Sequence, residues 1–185
     1  MTQRILIWYR NDLRVHDLLA LDEAVEQKAE IIPLYCFDDR NFGETSFGFP
    51  KTGNYRAQFL IESVADLRAS FQKLGSNLVV RRGLPEEIIP AIAEQLKVDR
   101  VCYSQEVSAE EKQVEKKLKQ ALLAKNIQVN SYWEATLYLP EDLPFGIEQT
   151  PELYTNFRKQ VEKKSEINQS LAAPKQLPHL QEIEP

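Results

Sequence analysis

The sequence predicts an α/β domain in which five parallel strands form a doubly wound sheet with helices on both faces. Five short runs rich in β-branched residues alternate with segments whose apolar residues recur every three or four positions. The first, second and fourth runs are almost continuously apolar, which is typical of strands covered on both faces. Strands that alternate with helices need crossover connections, and this arrangement favours a parallel sheet.

The strand predictions follow the apolar runs. We predict strands at RILIWY (4–9), EIIPLYCF (30–37), NLVVRR (77–82), DRVCYS (99–104) and IQVNSYW (127–133).

The first two predicted helices follow the first and second strands. LALDEAVEQ, residues 19–27, is the weaker of the two. Residues 53–75 carry one apolar stripe over about six turns, and Gly75 supplies the left-handed residue that commonly ends a helix.

Two further helices are predicted from their first turns. Residues 85–98 begin with a proline and two glutamates, and Pro90 lies early enough to kink this helix without abolishing it. Residues 108–126 begin at Ser108, a good N-cap, which is followed by acidic residues in the first turn.

The character of the chain changes after residue 134. We predict an α/β domain over residues 1–134, a connector and helix over 135–165, and an extended or disordered tail over 166–185. Within the connector, TPELYTNFRKQVEKK (150–164) reads as a helix with Thr150 as its cap. The tail has three prolines and few large apolar residues.

Composition excludes several classes of protein. The net charge is −5 and the pI about 5.2, which argues against direct binding of nucleic acid. No apolar run has the length of a membrane span, and we expect no signal peptide. Cys36 and Cys102 lie inside apolar runs, so we expect buried thiols and a cytoplasmic location.

Common nucleotide and catalytic motifs are missing from the sequence. There is no GxGxxG after the first strand and no GxxxxGK[ST], and the chain has six glycines. The histidines, His16 and His179, fit neither an HExxH pattern nor a Ser-His-Asp set, so neither a metal site nor a hydrolase is expected.

Charged residues cluster after the first strand, in WYRNDLRVHD. In a doubly wound sheet, ligands bind beyond the carboxyl ends of the strands, where the strand order reverses. Two interpretations stay open. In the first, structural ion pairs hold the loop, Arg10 with Asp12 and Arg14 with Asp17. In the second, some of these side chains face a ligand.

A second cluster follows the fourth strand, in YSQEVSAEE. Gln105 and Glu106 lie just beyond the strand, at the same edge of the predicted sheet. Glu106 either accepts ring N–H groups of a heterocycle or interacts with the start of the next helix. Lys51 and Arg56 precede or open the long helix and are expected near the same rim, where a small heterocyclic or anionic ligand would fit.

Four stretches together resemble one known family. WYRNDLRVHDLLAL is similar to the opening signature of the photolyase/cryptochrome family. KTGNYRAQFLIESVADLR, YSQEVSAEE and SYWEATLYLPEDLPFGIEQTPELYTNFRKQVE resemble stretches of DASH-type cryptochromes. The resemblance spans residues 4–164 and covers under half of a full-length family member. Differences from the family pattern fall at Leu18, Ser104, Glu134 and Ala135.

The resemblance implies a Rossmann-like antenna domain that precedes a helical domain binding FAD and the DNA lesion. The antenna is a methenyltetrahydrofolate or a deazaflavin. In the DASH group a glutamate at the position of Glu106 contacts the folate, and residues matching Arg10, Asp12, Arg14 and Asp17 mostly fix the loop and the domain junction. FAD is not expected in this chain, so Trp8 and Trp133 are interpreted as packing residues.

Three hypotheses follow. The first is a stand-alone antenna-binding or docking domain of a deoxyribodipyrimidine photolyase or DASH cryptochrome, with no activity expected from this chain alone. The second is a non-enzymatic module whose rim of Arg10, Lys51, Arg56 and Glu106 docks on a separate helical FAD-binding partner. That hypothesis expects an exposed apolar patch around Leu143, Phe145 and Leu153. The third is a generic nucleotide-binding α/β protein.

Overall fold

The protein folds around one sheet of five parallel strands. The structure is a computed structural model that describes residues 2–179. The sheet order is β3-β2-β1-β4-β5, and every neighbouring pair is parallel. The strands are β1 (Arg4–Tyr9), β2 (Glu30–Asp38), β3 (Val79–Gly83), β4 (Arg100–Ser104) and β5 (Gln128–Tyr132). The predicted fold class is therefore confirmed.

Four helices connect the strands, and a fifth follows them. They are α1 (Leu19–Glu26), α2 (Asn54–Lys73), α3 (Pro85–Gln95), α4 (Ala109–Leu123) and α5 (Tyr154–Lys164). Short 3₁₀ turns occur at Asp39–Phe42, Pro140–Asp142 and Ile147–Gln149.

The helices begin within one residue of the predictions except at α5, whereas α3 and α4 each end three residues before the predicted bound. Ser108 caps α4, where its hydroxyl accepts the N–H of Glu111. Gly75, just beyond α2, takes a φ of +88°. The prediction that Thr150 caps α5 is wrong, because the Thr150 hydroxyl instead donates to the Ile147 carbonyl 2.6 Å away and α5 begins at Tyr154.

The core has two layers, one on each face of the sheet. Alternate residues of β1 enter opposite layers, with Ile5, Ile7 and Tyr9 on one face and Leu6 and Trp8 on the other. The first face is covered by α1 and α2, and the second by α3 and α4. Helices on both faces explain why β1 and β2 are apolar along most of their length.

Residues 165–179 have no helix or strand but pack against the domain. Leu177 is 3% exposed and belongs to the core layer beneath α1 and α2. Its N–H donates to the Leu74 carbonyl at 2.8 Å. The prediction of an extended or disordered tail over 166–185 includes no such anchor, and residues 180–185 lie outside the described residues.

Both thiols are buried and free, as predicted. Burial raises the pKa of Cys36 to about 12 and that of Cys102 to about 11. Within residues 2–179, no helix combines the length and apolar character that crossing a membrane requires.

Candidate functional site

The candidate site lies at the carboxyl edge of the sheet, where β1 and β4 are neighbours. The chain runs from β1 to β2 and β3 on one side and places β4 and β5 on the other, so the strand order reverses between β1 and β4. The loops that leave these two strands diverge, which opens a cleft at this edge. Both predicted clusters, residues 8–17 and 103–111, lie along it.

Arg10 is buried at the centre of this edge, with 8% of its side chain exposed. It forms an ion pair with Glu115 of α4, donates to the Ser104 carbonyl at 3.3 Å, and stacks 4.5 Å above the Trp8 ring. The predicted Arg10–Asp12 ion pair is wrong. Asp12 instead accepts the main-chain N–H of Arg10 at 2.8 Å, because the chain turns back within two residues and leaves the side chain free to reach α4.

The predicted Arg14–Asp17 ion pair is also wrong. The Arg14 guanidinium donates to the main-chain carbonyls of His16 and Asp17 at 2.7–3.1 Å. Asp17 has a φ of +52°, its N–H donates to the Leu171 carbonyl at 2.8 Å, and its carboxylate accepts the Leu171 N–H at 3.3 Å. These residues therefore fix the loop and tie it to the segment after α5.

Glu106 lies on the same rim as the β1 loop. Its carboxylate accepts the Asn11 side-chain amide at 2.6 Å, and its N–H donates to Glu115 at 2.9 Å. Gln105 turns the other way and donates to the Ser131 hydroxyl of β5 at 3.0 Å. Glu115, which the sequence analysis did not single out, thus joins the two clusters through one carboxylate.

Lys51 and Arg56 occupy different environments in the structure. The Lys51 ammonium lies 2.5 Å from Glu110 at the start of α4, and this contact lowers the pKa of Glu110. Arg56 is exposed on the first turn of α2 and does not line the cavity described next.

A cavity of about 790 Å³ opens beside the rim, within the range of small-molecule sites. It is enclosed by the ends of β1 and β2, the loop after β2, and the first turns of α4. Its buried lining residues include Trp8, Tyr35 and Cys36. Arg10 and Lys51 line it, whereas Gln105 and Glu106 do not.

The loop after β2 supplies the part of the cavity that the sequence analysis missed. Phe47 and Phe49 stack with ring planes 13° apart and centroids separated by 6.1 Å, and both are exposed. Arg40, also in the lining, bonds to Asp38 at 2.6 Å and Glu86 at 2.8 Å. The sequence feature that could have indicated this wall is the aromatic- and glycine-rich run DDRNFGETSFGFPK.

The cavity cations named above are matched by carboxylates. Arg10 pairs with Glu115, Lys51 with Glu110, and Arg40 with two acids. A lining with balanced charge and buried aromatic residues suits a planar heterocycle with polar edges better than a polyanion. Among residues 2–179, no group of histidine, cysteine and acidic residues could hold a metal ion.

A partly buried polar cluster lies next to the rim. The Ser104 hydroxyl is 2.5 Å from Asp12 and 2.7 Å from Glu134, and Glu134 also accepts the N–H of Leu19 at the start of α1. Desolvation, together with the charge of Asp12, raises the pKa of Glu134 against the opposing effects of its hydrogen bonds and Arg14. Ser104 and Glu134 are two of the positions that differ from the family pattern.

The two tryptophans occupy different environments. Trp8 is 4% exposed and packs against Tyr103, with centroids 5.5 Å apart. Trp133 is half-buried and donates to the Thr136 hydroxyl at 2.6 Å.

Of the three residues expected to form an exposed apolar patch, Leu143 and Phe145 are half-buried, and Phe145 packs on Phe157 of α5. Leu153 is 68% exposed. Large exposed apolar side chains occur both beside Leu153 and in the β2–α2 region: Ile147 61%, Tyr154 72%, Phe47 83%, Tyr55 90% and Phe59 71%.

Comparison with known proteins agrees with this geometry. A family model described as DNA photolyase matches residues 5–179. The chain is 54% identical over 184 residues to a cryptochrome DASH of Gloeobacter violaceus, covering 100% of this chain and 37% of the relative. It is 45% identical over 174 residues to a cryptochrome DASH of Synechocystis sp., covering 94% and 36%.

Solved structures show the same fold. The crystal structure of a Synechocystis sp. PCC6803 cryptochrome matches with a TM-score of 0.93 at 44% identity, covering 96% of this chain and 37% of that one. A bacterial class III photolyase from Agrobacterium tumefaciens matches with a TM-score of 0.81 at 28% identity, covering 98% and 36%. The chain thus spans little more than a third of these proteins. It belongs to the DNA photolyase family, and it is homologous to the N-terminal α/β domain of the DASH-type cryptochromes.

Proposed function

We propose that this chain is the light-antenna domain of a photolyase or DASH-type cryptochrome, and that its carboxyl-edge cavity binds the antenna chromophore, a methenyltetrahydrofolate or a deazaflavin. A bound chromophore would supply light absorption and pass excitation energy to FAD. FAD would be held by a helical part outside this chain. The parent activity would then be light-driven reversal of pyrimidine dimers, or light sensing.

The cavity is the observation that carries this proposal. Its volume of about 790 Å³ accommodates a fused-ring heterocycle. Trp8 and Tyr35 offer apolar surface inside it, while Arg10 and Asn11 bring hydrogen-bonding groups to its edge. The ion pair with Glu115 and the stacking on Trp8 hold Arg10 rigid before any ligand arrives, which lowers the entropic cost of binding.

The two chromophores would depend on different residues. Because Glu106 lies outside the cavity lining, a ligand that depends on it would lie on the rim, where the neighbouring Val107 is 57% exposed. A ligand enclosed by the cavity would instead contact α4 near Gln113. We expect a deazaflavin in the cavity and a folate at the rim.

Fluorescence titration with each chromophore tests the proposal. In Gln113→Trp, the larger side chain fills part of the cavity, and deazaflavin binding should weaken by about tenfold or more, equivalent to about 1.4 kcal/mol. In Glu106→Gln, the loss of a charged acceptor should weaken folate binding by a similar factor.

A matched variant on the same helix separates blocking of the cavity from damage to the fold. Lys112 is exposed and does not line the cavity, so Lys112→Trp should leave the binding of both chromophores unchanged. If wild-type protein binds neither chromophore, the antenna proposal is wrong.

A second candidate function, docking on a separate helical FAD-binding partner, is favoured by the exposed aromatic residues. Tyr55 and Phe59 lie one turn apart on α2 and are exposed along with Phe47. Exposed aromatic residues on adjacent turns of a helix, such as Tyr55 and Phe59, are typical of interaction surfaces.

Co-purification with a co-expressed helical FAD-binding half tests this function. The double variant Tyr55→Ser, Phe59→Ser should abolish the complex. Leu153→Ser, which alters an apolar residue of similar exposure on the connector, should leave it intact. Retention of the partner by the double variant would place docking elsewhere.

A further inference from the structure

Three oxygen atoms in the partly buried cluster beside the rim require more protons than one serine can supply. The Ser104 Oγ lies 2.5 Å from Asp12 Oδ2, a short contact, and 2.7 Å from Glu134 Oε2, an ordinary O–H···O hydrogen-bond distance. A serine hydroxyl carries a single hydrogen, and ionised carboxylates only accept. Two ionised carboxylates would therefore leave one of these contacts without a proton and would set two oxygen lone pairs against each other.

The remaining hydrogen bonds of the cluster give each carboxyl one main-chain partner. Asp12 Oδ1 accepts the N–H of Arg10 at 2.8 Å, and Glu134 Oε1 accepts the N–H of Leu19 at 2.5 Å. Neither bond supplies the missing proton to Ser104, so the proton must reside on one of the two acids.

The surroundings favour Glu134 as the acid that keeps the proton. Its carboxyl is partly buried, and its charged form would face the charge of Asp12. The cation of Arg14 acts in the opposite direction. Tyr9 is the other titratable group nearby, and burial keeps the pKa of its phenol well above the ordinary value, so it stays neutral.

We propose that Glu134 is a neutral carboxylic acid in the folded protein, that its proton is donated to Ser104 Oγ, and that the Ser104 proton is donated to Asp12 Oδ2. The chain of hydrogen bonds joins Glu134, two residues after β5, to the N-terminus of α1 and to the β1 loop. Because Asp12 also holds the main chain at Arg10, Glu134 acts as a positioning residue for the rim. This inference concerns the protein alone and does not depend on a bound chromophore.

The pH dependence of stability has a definite sign. The pKa of Glu134 is raised in the folded state, so that the folded protein holds more protons than the unfolded chain. The stabilisation that protonated Glu134 contributes is complete below its pKa in the unfolded chain, about 4.3. It is lost as the pH rises through its pKa in the folded protein. Between these values, the folding equilibrium constant should fall by up to about tenfold per pH unit relative to a variant that cannot ionise.

Glu134→Gln is the informative variant, because its amide can donate to Ser104 and still accept from Leu19. Urea unfolding from about pH 4 to about pH 8 should show the wild-type folding constant falling relative to this variant as the pH rises. Glu152→Gln, which removes an exposed carboxylate from the connector, is the control. The pH dependence of its folding constant should match that of the wild type.

Carboxyl ¹³C NMR of the wild type gives a direct reading that needs no variant to fold. The Glu134 signal should titrate above the ordinary glutamate pKa of about 4.3. In Ser104→Ala, which removes the intervening hydroxyl, the titration of that signal should shift. A wild-type signal that titrates at the ordinary glutamate value, or parallel stability profiles for wild type and Glu134→Gln, would overturn the proposal.

Discussion

Replacing Leu177 by alanine measures how firmly the segment after α5 is joined to the core. Leu177 is 3% exposed in the layer beneath α1 and α2. Leu→Ala changes at buried sites cost about 2–5 kcal/mol, and the cost falls when the site can collapse. Residues 165–179 have no strand pairing to hold them in place, so we expect a loss of about 2–3 kcal/mol in the free energy of unfolding.

Urea unfolding followed by circular dichroism is the appropriate assay. For a domain of this size, the expected loss corresponds to a fall in Tm of about 5–10 °C. Leu153→Ala is the matched control, because Leu153 is 68% exposed and its truncation should change stability by less than about 0.5 kcal/mol. If Leu177→Ala is as stable as this control, the segment does not contribute to the core and the reasoning is refuted.

Three further predictions follow from the site and the core. Arg10→Met should lower the free energy of unfolding by about 3 kcal/mol, because it leaves Glu115 buried without its partner, and adding Glu115→Met should recover part of the loss. Gly75→Ala should cost about 1 kcal/mol, since a φ of +88° strains a side chain. The raised pKa values of Cys36 and Cys102 keep both thiols protonated at about pH 8, so a thiol reagent should label neither until the protein unfolds.

Each of these predictions has a result that contradicts it. A double variant no more stable than Arg10→Met would show that the unpaired acid is not the source of the cost. Gly75→Ala with wild-type stability would place the strain elsewhere. Labelling of either thiol in native buffer, at a rate that exceeds unfolding, would contradict its burial. Urea unfolding checks the first two, and absorbance of the released thiolate checks the third.

The edge of the sheet where the site lies could be predicted from the sequence, but the contacts made there could not. Arg10 and Glu106 were expected on one rim, and the structure brings their neighbourhoods together through Glu115. Glu115 had no distinguishing signal, since it is one of many charged residues on α4. Both ion pairs predicted within the β1 loop were wrong. Residues that are close in sequence need not have side chains in contact, because the backbone turn decides the direction of each side chain.

The wall formed by the loop after β2 was missed for a different reason. Irregular segments have no periodicity to interpret, so their course over the surface cannot be inferred from spacing. Phe47 and Phe49 were visible only as aromatic residues in a glycine-rich run.

The sequence by itself determined the strands, the helices, the parallel doubly wound sheet and the family. These features depend on local periodicity, on the order of elements along the chain and on motifs that are contiguous in sequence. Only the tertiary structure decided the partner of Arg10, the cluster of Asp12, Ser104 and Glu134, and the burial of Leu177. Those contacts join residues from 30 to about a hundred positions apart. They are selected by burial and by hydrogen-bond geometry in three dimensions, neither of which can be inferred from the spacing of residues along the chain.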